Sequence, residues 1–481
     1  MRFAKNQTAQ RISVVFILAL TSQLLNEHHG DMYHDAWGYL NLATKFIDTS
    51  GKREFNILNF DSQLRGYSFS VLLLPLLVVQ SLTKLPLTLL TKLFGSVWAA
   101  VLVGGLMPEL WKRLSRPSQQ ISWVGFLLFV VAFLLYWRDY LTFTLTDIPA
   151  LTLLIGGILS LSKRGFKWWL LAGLCIAAAV NFRPVYTVAL PIVGVLVVWL
   201  VWQSERYQRW LGLLGFVVGL GIVWLPQAYI NYYRFGKVTP LVLGTRIEDN
   251  LRIDSKLNNL YIWHLNAGLV CEKYGPALVG VNPNLVEFVP DATGIELVAS
   301  RNGQPIVSIG EYAAFAMAHP LGFFDIQVKH MFNLLDIDYP GIYVLRIQSV
   351  PVWYCFINYS LLFVGFLGLI GLPRPRSAII IALLLALSAS VLVCLPILTE
   401  PRFALPLHLL LIAAATMGVK PRLVQAYWRK APYCYAQLLI LLVGYALWIS
   451  VAFSMHSKRE KRAEWILPEA ARQRYFPAGV N

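Results

Sequence analysis

The sequence predicts an all-α polytopic membrane protein, a bundle of about eleven transmembrane helices with an amphipathic first-loop helix and one large outer loop. Of its 481 residues 57% are apolar and 14% are charged, whereas ordinary soluble domains carry about 25% charged residues. The apolar residues gather in runs long enough to cross hydrocarbon, and Lys and Arg gather in the short loops between them. A soluble enzyme is therefore excluded.

The apolar runs define the candidate spans. The first has a basic start and an apolar centre, as a signal peptide has, but no small-residue cleavage site follows it, so we expect a retained helix. The runs lie near residues 11–26, 66–83, 87–110, 121–137, 143–161, 167–182, 184–202, 210–231, 353–372, 377–398, 402–419 and 432–454.

Basic residues orient these runs, because loops rich in Lys and Arg stay in the cytoplasm. All the basic clusters face the cytoplasm only if one of the first three runs fails to cross. The best candidate is 66–83, which carries Pro75 and is expected to be re-entrant or to lie on the membrane surface. Twelve spans with both ends inside is the alternative. The clusters are Arg2, Lys5 and Arg11; Lys112, Arg113 and Arg116; Lys163, Arg164 and Lys167; Arg206 and Arg209; Arg374 and Arg376; Lys420, Arg422, Arg429 and Lys430.

This orientation divides the chain into four parts. The predicted parts are an N-terminal transmembrane module (1–231, with first outer loop 27–65 and segment 66–83), a large extracytoplasmic loop (232–352), C-terminal transmembrane helices (353–454) and a basic tail (455–481).

The net charge of +16 reflects membrane topology, because the basic loops set the orientation of the helices and contact anionic membrane lipids. No nucleic-acid partner is expected. The five cysteines show no CxxC spacing, so neither a disulfide framework nor a zinc site is implied. No P-loop or dinucleotide fingerprint is present.

Several charged residues fall at the predicted outer ends of the spans. An ionised side chain near hydrocarbon costs roughly 2.5 to 3.5 kcal/mol on insertion scales, so several at one face favour a shared polar cavity. The alternative is that they only mark the membrane interface. They are Asp35, Arg138, Asp139, Asp147, Arg183, Glu400 and Arg402, with His34 beside Asp35.

Asp35 opens a predicted amphipathic helix, since apolar residues from Ala36 to Ile47 recur at helical spacing. It is a good N-cap, and so is Asp147, which precedes Pro149 at the start of an apolar helix. A carboxylate at a helix N-terminus stays ionised and is available as a base. Capping and catalysis are therefore both open.

Arginines at this depth favour an anionic ligand, because a guanidinium matches phosphate oxygens. The alternative is pairing within the protein, between Arg402 and Glu400 or between Arg138 and Asp139. A divalent cation is a further option. Its ligands would be His34, Asp31, Asp35 and Asp147, although a loop histidine is more often simply exposed.

The large loop contains a predicted helical segment at 309–335, interrupted at His319-Pro320. Its amphipathic pattern suits a lid or acceptor platform over the membrane, or packing on the bundle.

Short motifs in this order resemble those of the GT-C membrane glycosyltransferases, particularly the dolichyl-phosphate-mannose protein mannosyltransferase and aminoarabinose transferase branch. The resemblance covers about residues 10–420. Two departures are that Ala36 stands where an adjacent acidic residue is usual, and that Asp147 has no second carboxylate nearby. The matching segments are Asp35-Ala36-Trp37-Gly38-Tyr39 through Ala43, Arg65-Gly66-Tyr67-Ser68, Thr146-Asp147-Ile148-Pro149, Asn181-Phe182-Arg183-Pro184, and Glu400-Pro401-Arg402-Phe403 with Pro406.

The resemblance implies an inverting glycosyltransferase, a multi-pass protein of the bacterial inner (plasma) membrane with its site facing outside. It would move a hexosyl or pentosyl group from a polyprenyl-phosphate carrier to a lipid, glycan or protein acceptor of the cell envelope. The competing class is a transporter or flippase of lipid-linked sugars, which would place its charges near the bilayer midplane.

The resemblance also implies roles for individual residues in a catalytic first outer loop. Asp35 would be the base and Asp147 would orient acceptor or sugar. Arg402, Arg138 and Arg183 would bind phosphate, and Tyr39, Glu400 and His34 would contact substrate. No metal ligand is assigned, and a divalent cation is left open.

Overall fold

The computed structural model describes residues 2–26, 32–47, 55–115, 121–203, 205–245, 259–372, 377–418 and 433–475. The protein is mostly helical, and six of its helices are long and apolar enough to cross a membrane. These are Leu87–Leu114, Trp123–Leu141, Pro184–Trp202, Trp210–Phe235, Val352–Ile370 and Leu439–Glu460. It is therefore a membrane protein, and the count of eleven spans stays a prediction.

The helices follow one another along the chain with few long interruptions. They are α1 (Arg2–Leu24), α2 (His34–Lys45), α3 (Tyr67–Thr83), α4 (Leu87–Leu114, with a π-helical segment at Ala100–Leu106), α5 (Trp123–Trp137), α6 (Asp147–Ser160), α7 (Phe166–Phe182), α8 (Ala189–Trp202), α9 (Arg206–Phe235), α10 (Leu260–Val270), α11 (Ala292–Ser300), α12 (Ile309–Ala318), α13 (Pro320–Leu335), α14 (Val352–Ile370), α15 (Ala378–Leu392), α16 (Leu405–Met417), α17 (Tyr433–Glu460) and α18 (Pro468–Tyr475).

Helix α2 is the predicted amphipathic helix of the first loop. Its apolar residues Ala36, Tyr39, Leu40 and Ala43 are buried because they share one face at helical spacing. The prediction that Asp35 caps this helix is wrong. The cap position is occupied by the extended residue Tyr33, so Asp35 lies in the first turn with its carboxylate directed elsewhere.

The large loop departs from the all-α prediction, since it contains most of a small sheet. The strands are β1 (Cys271–Leu278), β2 (Val286–Pro290), β3 (Tyr343–Val344) and β4 (Glu464–Ile466), in the order β3-β1-β2-β4. Only β1 and β3 are parallel. The short strands lack a clear alternation, and the edge strand β4 comes from the tail, so local periodicity could not reveal the sheet. The predicted helical segment 309–335 is confirmed as α12 and α13, with the break at His319.

The first loop and the large loop lie at the same end of the bundle. The Tyr343 hydroxyl donates to the Tyr33 carbonyl at 2.9 Å. Seven apolar runs, from 66–83 to 210–231, separate these loops in the sequence. Loops that share one end must be separated by an even number of crossings, so at least one of these runs does not cross.

Segment 66–83 is the run whose flanks both stay at this end. At its start, the Ser68 amide donates to the side chain of Asn181, at the end of α7, at 3.0 Å. Shortly after it, the Lys92 carbonyl accepts from Gln23, near the end of α1, at 3.2 Å. The segment therefore begins beside the site end of α7, and the helix that follows it contacts the site end of α1 within its second turn, which favours a segment that does not cross.

The C-terminal tail packs against the large loop instead of forming a separate basic segment. Strand β4 pairs antiparallel with β2, and Arg459 inserts its guanidinium between two carboxylates. Its nitrogens lie 2.6 Å from an Asp336 oxygen and 2.7 Å from an Asp338 oxygen. The Tyr359 hydroxyl donates to Asp336 at 2.8 Å, and Lys273 pairs with Asp338. Burial would raise the pKa of Asp336, but Arg459 and His456 hold it below its ordinary value.

Replacing Arg459 by methionine is expected to destabilise the fold, since it leaves two buried carboxylates short of a counter-charge. Breaking a buried ion pair costs about 3–5 kcal/mol in free energy of unfolding. Thermal unfolding in detergent and proteolysis of the tail measure the effect. The control Arg474→Gln removes an exposed pair with Glu464 in the same tail and should change little. An unchanged midpoint for Arg459→Met would show that this cluster does not hold the tail.

Candidate functional site

Asp35 is bound by two arginines from distant parts of the chain. One carboxylate oxygen lies 2.6 Å from Arg65 Nη2, and the other lies 3.1 Å from Arg402 Nη1. The Asp35 side chain is still 38% exposed, because it faces a cavity. The site is thus a carboxylate held in place by two cations while one side stays open.

Arg402 also binds Glu400, with Nε 2.6 Å from a carboxylate oxygen. Both residues flank Pro401, at the start of the 3-10 turn Pro401–Ala404 that leads into α16. Proline suits the first position of such a turn because its fixed φ is already helical. This turn therefore presents Glu400 and Arg402 together at the end of the bundle.

Arg65 is held in place by the close packing of Gly66 and by the ring of Tyr39. Gly66 precedes α3 and approaches so closely that an added Cβ would lie 2.1 Å from the Asn181 carbonyl oxygen. The Arg65 guanidinium lies over the Tyr39 ring, 5.2 Å from its centroid, an arrangement that attracts a cation to the aromatic face. The Tyr39 ring therefore helps to hold the Arg65 guanidinium in place.

The ionisation of Asp35 is set by its two partners. Burial by itself would raise the pKa of Asp35, but the charges of Arg402 and Arg65 and their hydrogen bonds outweigh burial and hold the pKa well below its ordinary value. The carboxylate is consequently ionised throughout the physiological pH range.

A cavity of about 1000 Å³ opens beside this group. One wall comes from the bundle end and the first loop. The other comes from the sheet, the segment after α13 and the tail, with Lys273 and Asp338 among its residues. The lining residues of this cavity that bear ionisable or amide groups are His34, Asp35, Tyr140, Lys273, Tyr274, Asn282, Asn284, Asp338, Tyr339, Tyr343, Glu400, Arg402 and Glu469. Its size is that of a ligand pocket.

Asp147 and Arg183 are brought together with each other and do not line this cavity. They form a direct ion pair in which the side chains are 1% and 12% exposed. The Arg183 guanidinium also lies over the Phe403 ring, next to Arg402. This pair lies close to the site but is enclosed, which suits a supporting role.

The remaining predicted residues divide between the cavity and its surroundings. His34 lines the cavity and contacts the Pro283 carbonyl with its Nε2. Arg138 is paired with Asp139 at 3.1 Å, as one of the predicted alternatives had it, and does not line the cavity. Asp31 lies outside the described residues, as do Arg116, Arg374, Arg376 and the basic cluster at 420–430.

Arg65 was not predicted as a site residue, although Arg65-Gly66-Tyr67-Ser68 is one of the segments that resemble the family. Its pairing with Asp35 spans 30 residues, and no local spacing in the sequence reveals such a pair. Lys273 and Asp338 were also missed, because they reach the cavity only through the sheet and the tail cluster.

Of the predicted cation ligands, His34, Asp35 and Asp147 lie in the described part of the chain, and their ligand atoms do not come together there. Asp147 is held by Arg183 and Asp35 by two arginines. Among the described residues, Asp336, Asp338 and His456 approach one another with suitable ligand atoms. Arg459 and Lys273 occupy the positions between these carboxylates. The donor set therefore fits an ion-pair cluster better than a metal site.

No family model matches this chain, and a search of curated proteins finds no significant relative.

Replacing Asp147 by asparagine is expected to reduce stability, because it leaves Arg183 buried without its counter-ion, at a cost of about 3–5 kcal/mol in free energy of unfolding. The midpoint of thermal unfolding should fall when detergent-purified protein is compared with the wild type. An unchanged midpoint would show that the pair of Asp147 and Arg183 does not support the fold.

Proposed function

We propose that this protein is an inverting glycosyltransferase that moves a sugar from a polyprenyl-phosphate carrier to a hydroxyl acceptor. The observation that carries the proposal is Asp35, an ionised carboxylate clamped by Arg65 and Arg402 in the wall of a large cavity at the end of a membrane-embedded bundle. A base and adjacent cations are the groups that this reaction requires.

The proposed reaction is an in-line displacement at the anomeric carbon. The acceptor oxygen forms the new bond while the bond from that carbon to the carrier phosphate oxygen breaks. Asp35 accepts the acceptor's proton, and the polyprenyl phosphate leaves with the bonding electron pair. Arg402, which lines the cavity, stabilises the negative charge that develops on the departing phosphate, while Arg65 holds the Asp35 carboxylate in place.

The low pKa of Asp35 makes it a weak base until a donor binds. A donor phosphate that attracts Arg402 would weaken the Arg402–Asp35 pair, and loss of a neighbouring positive charge raises a carboxylate's pKa. Donor binding would thereby release the carboxylate and make it more basic at the moment when the acceptor is present. Glu400 would keep Arg402 within reach during this exchange, since it binds Nε and Nη2.

Other elements of the proposal follow the same geometry. Asp147 and Arg183 would brace the site, and Tyr39 would hold Arg65. His34 and Glu400 on the cavity wall would contact substrate. Membership of the GT-C superfamily, an inner-membrane location and a site facing away from the cytoplasm belong to the proposal, as do a lipid, glycan or protein as acceptor.

The first test is transfer of radiolabelled sugar from polyprenyl-phosphate donors by membranes that contain wild type or Asp35→Asn. We expect transfer by the wild type and a loss of at least about a hundredfold in the variant, the lower range of a general base's contribution.

Asp61→Asn is the matched control. It neutralises another first-loop aspartate, one that pairs with Lys45 at 2.5 Å and is half exposed outside the cavity. It should retain activity. Full transfer by Asp35→Asn at normal expression would remove Asp35 as the base, and transfer by neither protein would redirect the work to flux assays for a transporter.

The second test uses the pH dependence of kcat/KM, which reports the free enzyme. In the wild type the depressed pKa of Asp35 should keep the base ionised down to acidic pH. Replacing Arg65 by glutamine removes one of the two positive charges, so the pKa of Asp35 should rise and the acidic limb should move to higher pH. Lys45→Gln, which removes a cation bound to Asp61, should leave the limb in place. A limb that is unchanged in Arg65→Gln would separate Asp35 ionisation from the rate.

A further inference from the structure

Helices α12 and α13 of the large loop present a face that is apolar throughout. The buried side of these helices packs on the loop and bundle through residues such as Phe323 and Ile326. The residues between 309 and 335 that are exposed as a whole are all apolar or glycine, and the half-exposed carboxylate of Asp325 pairs with Lys329. The exposed residues there are Ile309, Gly310, Ala313, Ala314, Met317, Ala318, Pro320, Leu321, Phe324 and Val328.

The largest of these side chains form a stripe. Leu321, Phe324 and Val328 follow one another on α13 at intervals of three and four residues, and they are 84%, 69% and 44% exposed. Such spacings place side chains on one side of a helix. Met317, 78% exposed, adds to them from the end of α12, before the break at His319. A contiguous exposed apolar patch of this kind marks a site of contact with protein or membrane.

The position of α13 on the bundle indicates whether its exposed apolar patch contacts another protein or the membrane. Its last carbonyl, of Leu335, accepts a hydrogen bond from Asn358 at 2.8 Å. Asn358 lies six residues inside the apolar span Val352–Ile370, which corresponds to about 9 Å of helix rise. Helix α13 therefore ends beside the second turn of a helix that is apolar enough to span the membrane.

Two further contacts join α13 to the bundle. His330 contacts the Leu395 carbonyl just after α15. Helix α13 also packs against the turn Pro401–Ala404, where α16 begins. Helix α13 thus contacts α14, the segment just after α15, and the turn that begins α16.

We propose that α12 and α13 insert their apolar stripe into the lipid bilayer that surrounds the bundle, as an interfacial anchor of the large loop. Amphipathic helices of this kind lie in the interface plane with the apolar face in the acyl boundary. Because α13 packs on the turn that carries Arg402, this anchor ties one wall of the cavity to the membrane surface. The inference stands independently of the proposed transferase activity.

The test measures the depth of spin labels on cysteines introduced at Leu321 and Phe324. Cys434 is first replaced by serine, since the four other cysteines are buried. The protein is reconstituted in liposomes of phosphatidylethanolamine and phosphatidylglycerol. Both labels should relax several-fold more with oxygen, which concentrates in lipid, than with a water-soluble nickel chelate. The matched control is Glu296→Cys on the neighbouring helix α11, an exposed position that should show the reverse preference.

Three outcomes would overturn the proposal. Labels at 321 and 324 with the water accessibility of 296 would place the stripe in solvent. Labels shielded from both reagents would indicate a bound protein partner. Spin–spin broadening that disappears on dilution with unlabelled protein would identify a second copy of this chain as the occupant.

Discussion

The carboxylate of Asp35 lies between two guanidinium groups, and this contact organises the end of the bundle. Arg65 reaches it from the same loop, 30 residues away, while Arg402 reaches it across 367 residues. A charge this close to an apolar environment is stable only when it is paired. The first loop and the start of α16 must therefore come together, and whatever lies between them in the sequence has to accommodate that contact.

The large loop contains a second set of buried charges, and these are also paired. Asp336 and Asp338 are almost completely buried, and the cations that neutralise them come from the sheet and from α17. This arrangement places Lys273 and Asp338 on the cavity wall opposite Asp35. Two ion-pair clusters thus lie on the two walls of one cavity, and the proposed anchor at α12 and α13 would join the wall that carries Arg402 to the membrane surface.

The ion pairs of the first cluster also carry a chemical consequence. In the free protein they hold Asp35 ionised and occupy Arg402, so the site is electrostatically satisfied without a ligand. An anionic ligand would compete with the carboxylates for the arginines, and that competition would free Asp35. Binding and basicity are then linked through the same contacts, which is a property of the geometry rather than of any single residue.

Local pattern was sufficient for the helices. The apolar runs, the first-loop amphipathic helix and the break at His319 in the loop all depend on neighbours within a few residues, which the sequence displays directly. The same information indicated that Asp35, Glu400 and Arg402 were unusual, because placing an ionised group near hydrocarbon costs free energy. It could not assign partners. Asp147 and Arg183 looked like members of the cavity and instead neutralise each other.

Hydrophobicity and helical periodicity are local properties, so the amino-acid sequence was enough to predict a helical membrane protein with charges gathered at the ends of its apolar runs. Which charges meet became visible in the folded chain alone, because an ion pair depends on distances between residues that are far apart in the chain. The fold also shows that β4 of the tail completes a sheet begun in the large loop. Strand pairing over such a separation leaves no trace in local composition, so the second wall of the cavity could be seen only in the folded chain.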